Sequence, residues 1–415
     1  MTFDLHRDLE ERFLRYVQVD TESDADSPSV PSTERQLDLL RMLEVELQQL
    51  GAEDVQLTDY ATLLATIPPT AGGGEVPPIA FMAHVDTTEA FPGLGVKPRV
   101  HRSWDGSPIT FPNDESLVLS PERSPDLKAK IGQDVVTASG DTLLGADDKA
   151  GVAIVMSMAR SLLEKSGTEH GCIRLCFTPD EEIGRGVDHL TPEDLDARWA
   201  YTLDGGNTGE ISSETFSADM AVVAFRGVSV HPGTAYHDLV NACTLAAKFH
   251  AALPEHARTP ETTKDREGFI HLYEMAGNAA EVELRYILRD FDNNRLAEHG
   301  RVLSLLAETM QAAHPRAGIR CDIKAQYRNM GQWLQEDMTP VEIARQAMRD
   351  TGLEPVDEPI RGGTDGSRLT EKGVPTPNLF TGMHDVHGPL EWVTIQDMAL
   401  AVRTCLRIAE LWTEA

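Results

Sequence analysis

Histidine and carboxylate residues close five apolar runs in this 415-residue chain, and they are the residues best suited to chemistry. IAFMAH ends on His84, with Asp86 two residues on. TLLGADDKAG carries Asp147, IRLCFTPDEE carries Glu181 and Glu182, WAYTLDGG carries Asp204, and PNLFTGMHDVHG carries His387. Divalent zinc accepts these ligand types in hydrolytic sites, where one position stays open for water. In open α/β sheets, ligands bind beyond the carboxyl ends of the strands, where these segments would place them. Singly, an HxD at a strand end is an ordinary turn, and Asp147-Asp148 before a helix is a plain N-cap. Their recurrence argues for a site.

His84, His387, Asp147, Glu182 and Asp204 supply three carboxylates and two neutral imidazoles. Against two divalent cations this set leaves about one positive charge, which a hydroxide neutralises; a single cation would leave the carboxylates in excess. Two metals roughly 3.5–4 Å apart can share a carboxylate and a water whose pKa falls from ~15.7 towards ~7. Hydrolysis also needs a proton carrier that does not bind metal. Adjacent Glu181 and Glu182 cannot easily occupy one position, so one can ligate while the other moves the proton. Asp86 shares the strand face of His84 and is placed to accept the second imidazole N–H, fixing the tautomer.

Positioning these groups takes an α/β framework. The start of the chain has helical spacing (Phe3, Leu9, Phe13, Leu14, Val17) and is too charged for a signal peptide. A second helix is expected after Ser32 as N-cap, ending at Gly51. Strands are expected around 62–67, 79–83, 172–177 and 200–203, with an apolar helix directly after Asp147 and Asp148. The glycines of PPTAGGGEVPP read as a surface turn and lack the GK[ST] of a phosphate loop. Residues 88–140 are rich in Pro and Gly, weakly periodic, and read as an excursion bordering the site.

From about residue 215 the pattern becomes β-α-β-β-α-β, the order of a ferredoxin-like unit. Within it EVELRYILRDF alternates strictly, placing Val282, Leu284, Tyr286 and Leu288 on one face. The last section returns to α/β: a helix at VEIARQAMRDTG, a Gly-rich loop at RGGTDGSRL, a strand at TPNLF and a final long helix. His387 must fold back to the first section, so the catalytic domain is discontinuous, 1–214 and 331–415, with 215–330 inserted as a separate domain.

A net charge of −30 opposes nucleic acid or anionic membrane as a partner, since both need a basic face. No apolar stretch approaches the ~20 residues that span a bilayer. The five cysteines are odd in number and scattered, mostly inside apolar runs, as expected of reduced core thiols in a cytoplasmic protein.

The motifs HVDT, LLGADDKAG, FTPDEEIGRG, YTLDGG, HPGTA, RGGTDG and NLFTG…HG together resemble those of the peptidase T family, the tripeptide aminopeptidase branch of the co-catalytic zinc exopeptidases. The resemblance runs over essentially the whole chain. It implies an α/β catalytic domain of zinc-exopeptidase type with an inserted ferredoxin-like lid, holding two Zn2+ for which Co2+ or Mn2+ can substitute. His84 and Asp204 would bind one zinc and Glu182 and His387 the other, with Asp147 bridging. Asp86 would orient His84, and Glu181 would be the general base. The Asp147–Asp148 peptide bond would be cis.

The matching lid positions for substrate are His231, Asn241 and Arg289. His231 can donate to a developing oxyanion and Arg289 can grip a carboxylate. Gly362 and Gly363 would let the backbone approach a short peptide closely, and Arg361 could hold a peptide terminus. The chain departs from the family pattern at MHDV before His387, which adds His384, read as an exposed loop residue, and Asp385. Lid-mediated dimers occur in the family, which leaves a homodimer open. The metal motifs alone also suit a dipeptidase, an N-acyl amino acid hydrolase, a carboxypeptidase, or a non-catalytic metal-binding peptide module.

Overall fold

A computed structural model describes residues 4–70, 76–164 and 167–414. Phe3 and the Gly72–Gly74 part of the expected turn lie outside them. The chain forms two compact units: Met1–Ser213 with Gln332–Glu358 and Thr364–Ala415, and Glu214–Gly331 with Pro359–Gly363.

The first unit is built on an eight-stranded sheet. Its strands run in the order Glu53–Leu57, Leu63–Ile67, Ile173–Thr178, Ile79–His84, Trp199–Gly205, Asn378–Phe380, Glu210–Ser212 and Val356–Asp357. The four central strands, from Ile173–Thr178 to Asn378–Phe380, are mutually parallel. Parallel strands covered on both faces read as continuous apolar runs, which is why Ile79–His84 is buried at all six positions. Their common direction brings the carboxyl ends together, and His84 and Asp204 sit there.

The helix Ala146–Leu163 covers this sheet and is buried along almost its whole length. Gly151 explains how close it lies: a Cβ there would stand 2.1 Å from the Leu203 carbonyl oxygen and 2.4 Å from Asp148 Oδ1. Only glycine lets the start of this helix rest against the strand that carries Asp204.

The second unit is a four-stranded antiparallel sheet in the order Phe269–Gly277, Glu281–Asp290, Ser217–Arg226, Gly318–Tyr327. Helices Ala242–Ala251 and Asn293–Ala313 complete the β-α-β-β-α-β order of a ferredoxin-like fold. Val282, Leu284, Tyr286 and Leu288 are all buried in its core, with Phe225, Phe249 and Leu303. Pro359–Gly363 pairs with this unit through Phe216 N–H to Ile360 O (3.0 Å) and Ile360 N–H to Glu214 O (3.0 Å).

Several local expectations need correction. Residues 88–140, weakly periodic in sequence, hold short regular elements: Arg99–His101 and Val135–Thr137 form a three-stranded sheet with Trp392–Thr394, and Ile109–Phe111 pairs with Asp114–Leu119. They enclose their own core of Trp104, Phe111, Leu119, Leu127 and Trp392. Strands this short show no period in sequence. Ser32 does not cap the second helix, which begins at Gln36; its N–H and hydroxyl both donate to Asp180 instead. The expected loop at RGGTDGSRL contains a helix, Asp365–Glu371, capped by Thr364. Cys243 is exposed, unlike the buried Cys176 and Cys405.

Candidate active site

At the carboxyl ends of the parallel strands, two groups of side chains could each hold a cation. His84, Asp147 and Asp204 form one; Asp147, Glu182 and His387 form the other. Within each group the ligand-type atoms lie within 4.8 Å of one another. His84 Nε2 is 3.0 Å from Asp147 Oδ1 and 3.8 Å from Asp204 Oδ1. His387 Nε2 is 3.1 Å from Asp147 Oδ2 and 3.2 Å from Glu182 Oε2. Asp147 thus offers one oxygen to each group, the arrangement a bridging carboxylate requires. The Asp147–Asp148 peptide bond is cis. His84 is buried, whereas the His387 side chain is 44% exposed.

The surrounding side chains hold these groups in place. Asp86, fully buried, accepts from His84 Nδ1 at 3.2 Å, from Glu181 N–H at 3.0 Å and from Glu182 N–H at 3.2 Å. One carboxylate therefore joins the His84 strand to the Glu181–Glu182 turn. Two further groups went unnoticed in the sequence. Asn378 grips the Asp204 backbone from both sides, accepting from its N–H at 3.1 Å and donating to its carbonyl at 2.9 Å. Asp180, at a φ of 54°, accepts from Ser32 and Gln36 and so anchors the turn just before Glu181. Such contacts link residues more than a hundred positions apart, and local sequence carries no signal for them.

Electrostatics tests whether cations fit. Burial and the Asp147 charge push the Asp204 carboxyl well above its usual range. Burial likewise raises Glu181, with Asp204, Asp365 and Glu182 adding to it, and raises Glu182, with Asp147 adding to it. Burial opposes ionisation of Asp147 too, yet hydrogen bonds to His387 and His84 hold it well below the carboxylate range. Hydrogen bonds to Asp147 and Glu182 carry His387 up to about 11. Burial disfavours a charged His84, but Asp147 and Asp86 outweigh it. Carboxylates crowded this closely repel one another unless positive charge lies between them. Glu182 Oε1 is buried and has no hydrogen-bond partner. An oxygen so placed fits a metal ligand, and the donor set as a whole fits two divalent cations.

The other expected substrate groups all lie in the second unit. His231 is exposed, and its Nδ1 accepts from Gly233 N–H at 3.1 Å. Asn241 caps the helix Ala242–Ala251 through Thr244 N–H. The Arg289 guanidinium lies over the Tyr327 ring and donates to Gln326 Oε1 at 3.1 Å, not to Asp290 or Asp292. Gly363 has a packing role of its own, since a Cβ there would stand 2.5 Å from the Tyr327 ring.

Arg361 donates to the carbonyls of Asp265, Glu267 and Thr263, so its guanidinium staples a loop. One reading is overturned. His384 is buried, not exposed, and stacks on Trp392 with ring centroids 4.0 Å apart. Asp385 accepts from the Trp392 indole N–H at 3.0 Å.

Comparison with known proteins agrees with this geometry. Residues 141–411 match peptidase family M20/M25/M40. Peptidase T of Shewanella pealeana is 45% identical over 99% of this chain and 100% of its own length. Peptidase T of Bacillus velezensis is 42% identical over 99% and 100%. Among solved structures, a tripeptidase from Staphylococcus aureus shares the fold with a TM-score of 0.77 at 22% identity, covering 99% of each chain. Aminopeptidase PepT from Bacillus cereus does so with a TM-score of 0.73 at 24% identity, again over 99% of each. The chain belongs to peptidase family M20/M25/M40, and within it to the peptidase T group.

Proposed function

We propose that this chain is a cytoplasmic dizinc aminopeptidase that releases the N-terminal residue from tripeptides. The observation that carries the reading is Asp147, whose two oxygens address two separate ligand groups. His84 and Asp204 would hold one zinc and Glu182 and His387 the other. When bound, the metals polarise the scissile carbonyl and make a water acidic enough to attack it near neutral pH.

The residues of the chain do the rest. Glu181 accepts the proton of the attacking water and passes it to the leaving amine. Its backbone is fixed by Asp86, which also holds the N–H of Glu182. Asp86 keeps the His84 ring oriented with Nε2 towards Asp147. Asn378 holds the Asp204 backbone in register. His231, Asn241, Arg289 and Gly363 enter as peptide-binding groups on their chemistry: a hydrogen-bond donor to an oxyanion, an amide, a guanidinium for a carboxylate, and a glycine for close approach. No helix among the described residues is long and apolar enough to cross a membrane, which agrees with the proposed location. The 42–45% identical relatives are named peptidase T, the family whose motifs implied tripeptides as the substrate class.

The test is hydrolysis of Ala-Ala, Ala-Ala-Ala, Ala-Ala-Ala-Ala and N-acetylated Ala-Ala-Ala by zinc-loaded protein. Selective cleavage of the free tripeptide is expected. Equal cleavage of the blocked peptide would point to an acyl-amino acid hydrolase or carboxypeptidase and overturn the reading.

A further inference from the structure

Glu391 stands immediately before strand Trp392–Thr394 and is 1% exposed. One of its oxygens accepts the N–H groups of Leu144 at 2.7 Å and Gly145 at 2.8 Å. The other accepts the N–H of Asp147 at 3.0 Å, across 244 residues of sequence. These groups lie at the kinked start of the helix Ala146–Leu163, where Asp147 and Asp148 depart from helical φ/ψ and Gly145 has no side chain to offer. The first N–H groups of any helix lack intrahelical partners, and a negative charge is favourable there. Glu391 fills that place from a distant part of the chain. Burial pushes Glu391 up to about 7 against these three N–H groups; Lys149, 1% exposed, donates to the Val19 carbonyl at 2.8 Å, and burial lowers it to about 8 against the charges of Asp20, Glu391 and Asp86.

A buried carboxylate at a helix start can serve stability alone. Here the third N–H belongs to Asp147 itself, the residue whose two carboxylate oxygens meet His84 and His387. A turn of the backbone at Asp147 would move both contacts together. We infer that Glu391 is a positioning residue for the metal centre, holding the backbone of Asp147 so that its carboxylate faces both ligand groups. This inference rests on the two-metal reading. The Glu391 carboxylate meets Asp147 through the backbone N–H alone and takes no part in proton transfer.

The probe is Glu391→Gln, equal in size, in which an NH2 replaces one acceptor oxygen and opposes a backbone N–H. Zinc affinity is measured on the full chain by chelator competition, at a temperature where both proteins are folded, alongside the melting temperature of the metal-stripped forms. Groups that orient metal ligands change metal affinity by about 10–100-fold when altered, and a loss of that order is expected here. Affinity within about twofold of the parent, whatever happens to the melting temperature, would assign Glu391 to the fold alone and overturn the inference. If the Gln variant does not fold, Glu391→Asp goes through the same competition and is judged by the same two outcomes. A parent protein that binds no zinc would instead overturn the two-metal reading, and this inference with it.

Discussion

Asp86→Asn isolates one carboxylate that serves two parts of the site. The native side chain accepts three hydrogen bonds, from His84 Nδ1, Glu181 N–H and Glu182 N–H. Oδ1 takes the first two and Oδ2 the third, so an amide whose oxygen sits at the Oδ1 position loses only the Glu182 bond. Its NH2 then faces that N–H. A hydrogen bond to a charged group contributes about 1.5–3 kcal/mol, and ~1.4 kcal/mol is a factor of ten. His84 keeps its tautomer even so, because Nδ1 also lies 3.2 Å from the Asp86 carbonyl oxygen. The expected effect is a fall of roughly 10–100-fold in kcat/KM, with zinc affinity reduced by a similar factor. The assay pairs tripeptide kinetics with chelator competition. A change below about threefold, or a loss above about 10⁴-fold, would refute this division of labour.

Glu181→Gln should keep both metals, measured by elemental analysis, while turnover falls by about 10²–10⁴-fold; near-normal turnover would remove Glu181 from the mechanism. His384 is held at about 4 by burial, with Lys130 nearby, below the ordinary 6.5. The unfolded chain therefore binds this proton at a higher pH than the folded one, so the contribution rises with pH between about 4 and 6.5 and is lost in acid. From pH 7 to 5 the loss is on the order of 2 kcal/mol. His384→Phe, which retains a ring against Trp392, should flatten that limb in denaturant titrations; an unchanged limb would contradict the assignment. Leu284→Ala, at a fully buried position in the second unit, should cost about 2–5 kcal/mol by the same method. A loss below about 1 kcal/mol would mean that core repacks freely.

The strand ends were legible because parallel strands buried on both faces make unbroken apolar runs, so the polar residue that closes each run stands out, as His84 and Asp204 do. The second unit was legible for the opposite reason: one face is covered, and Glu281–Asp290 alternates. What sequence could not show is contact at long range. Glu391, Asn378 and Asp180 look like ordinary loop or strand residues until the fold brings them to Asp147, Asp204 and Ser32. The three-residue strands Arg99–His101 and Val135–Thr137 are shorter than any detectable period. His384 was misplaced because Met-His-Asp-Val is polar on average, while its position is set by stacking on a tryptophan in a neighbouring strand.

The central claim is that Asp147 joins two cation sites. Anomalous scattering from crystals of the zinc-loaded protein, recorded on either side of the zinc edge, tests it most directly. Two peaks roughly 3.5–4 Å apart are expected, one beside His84 and Asp204 and one beside Glu182 and His387, each in contact with a different oxygen of Asp147. A single fully occupied peak, or two peaks that do not share Asp147, would contradict it.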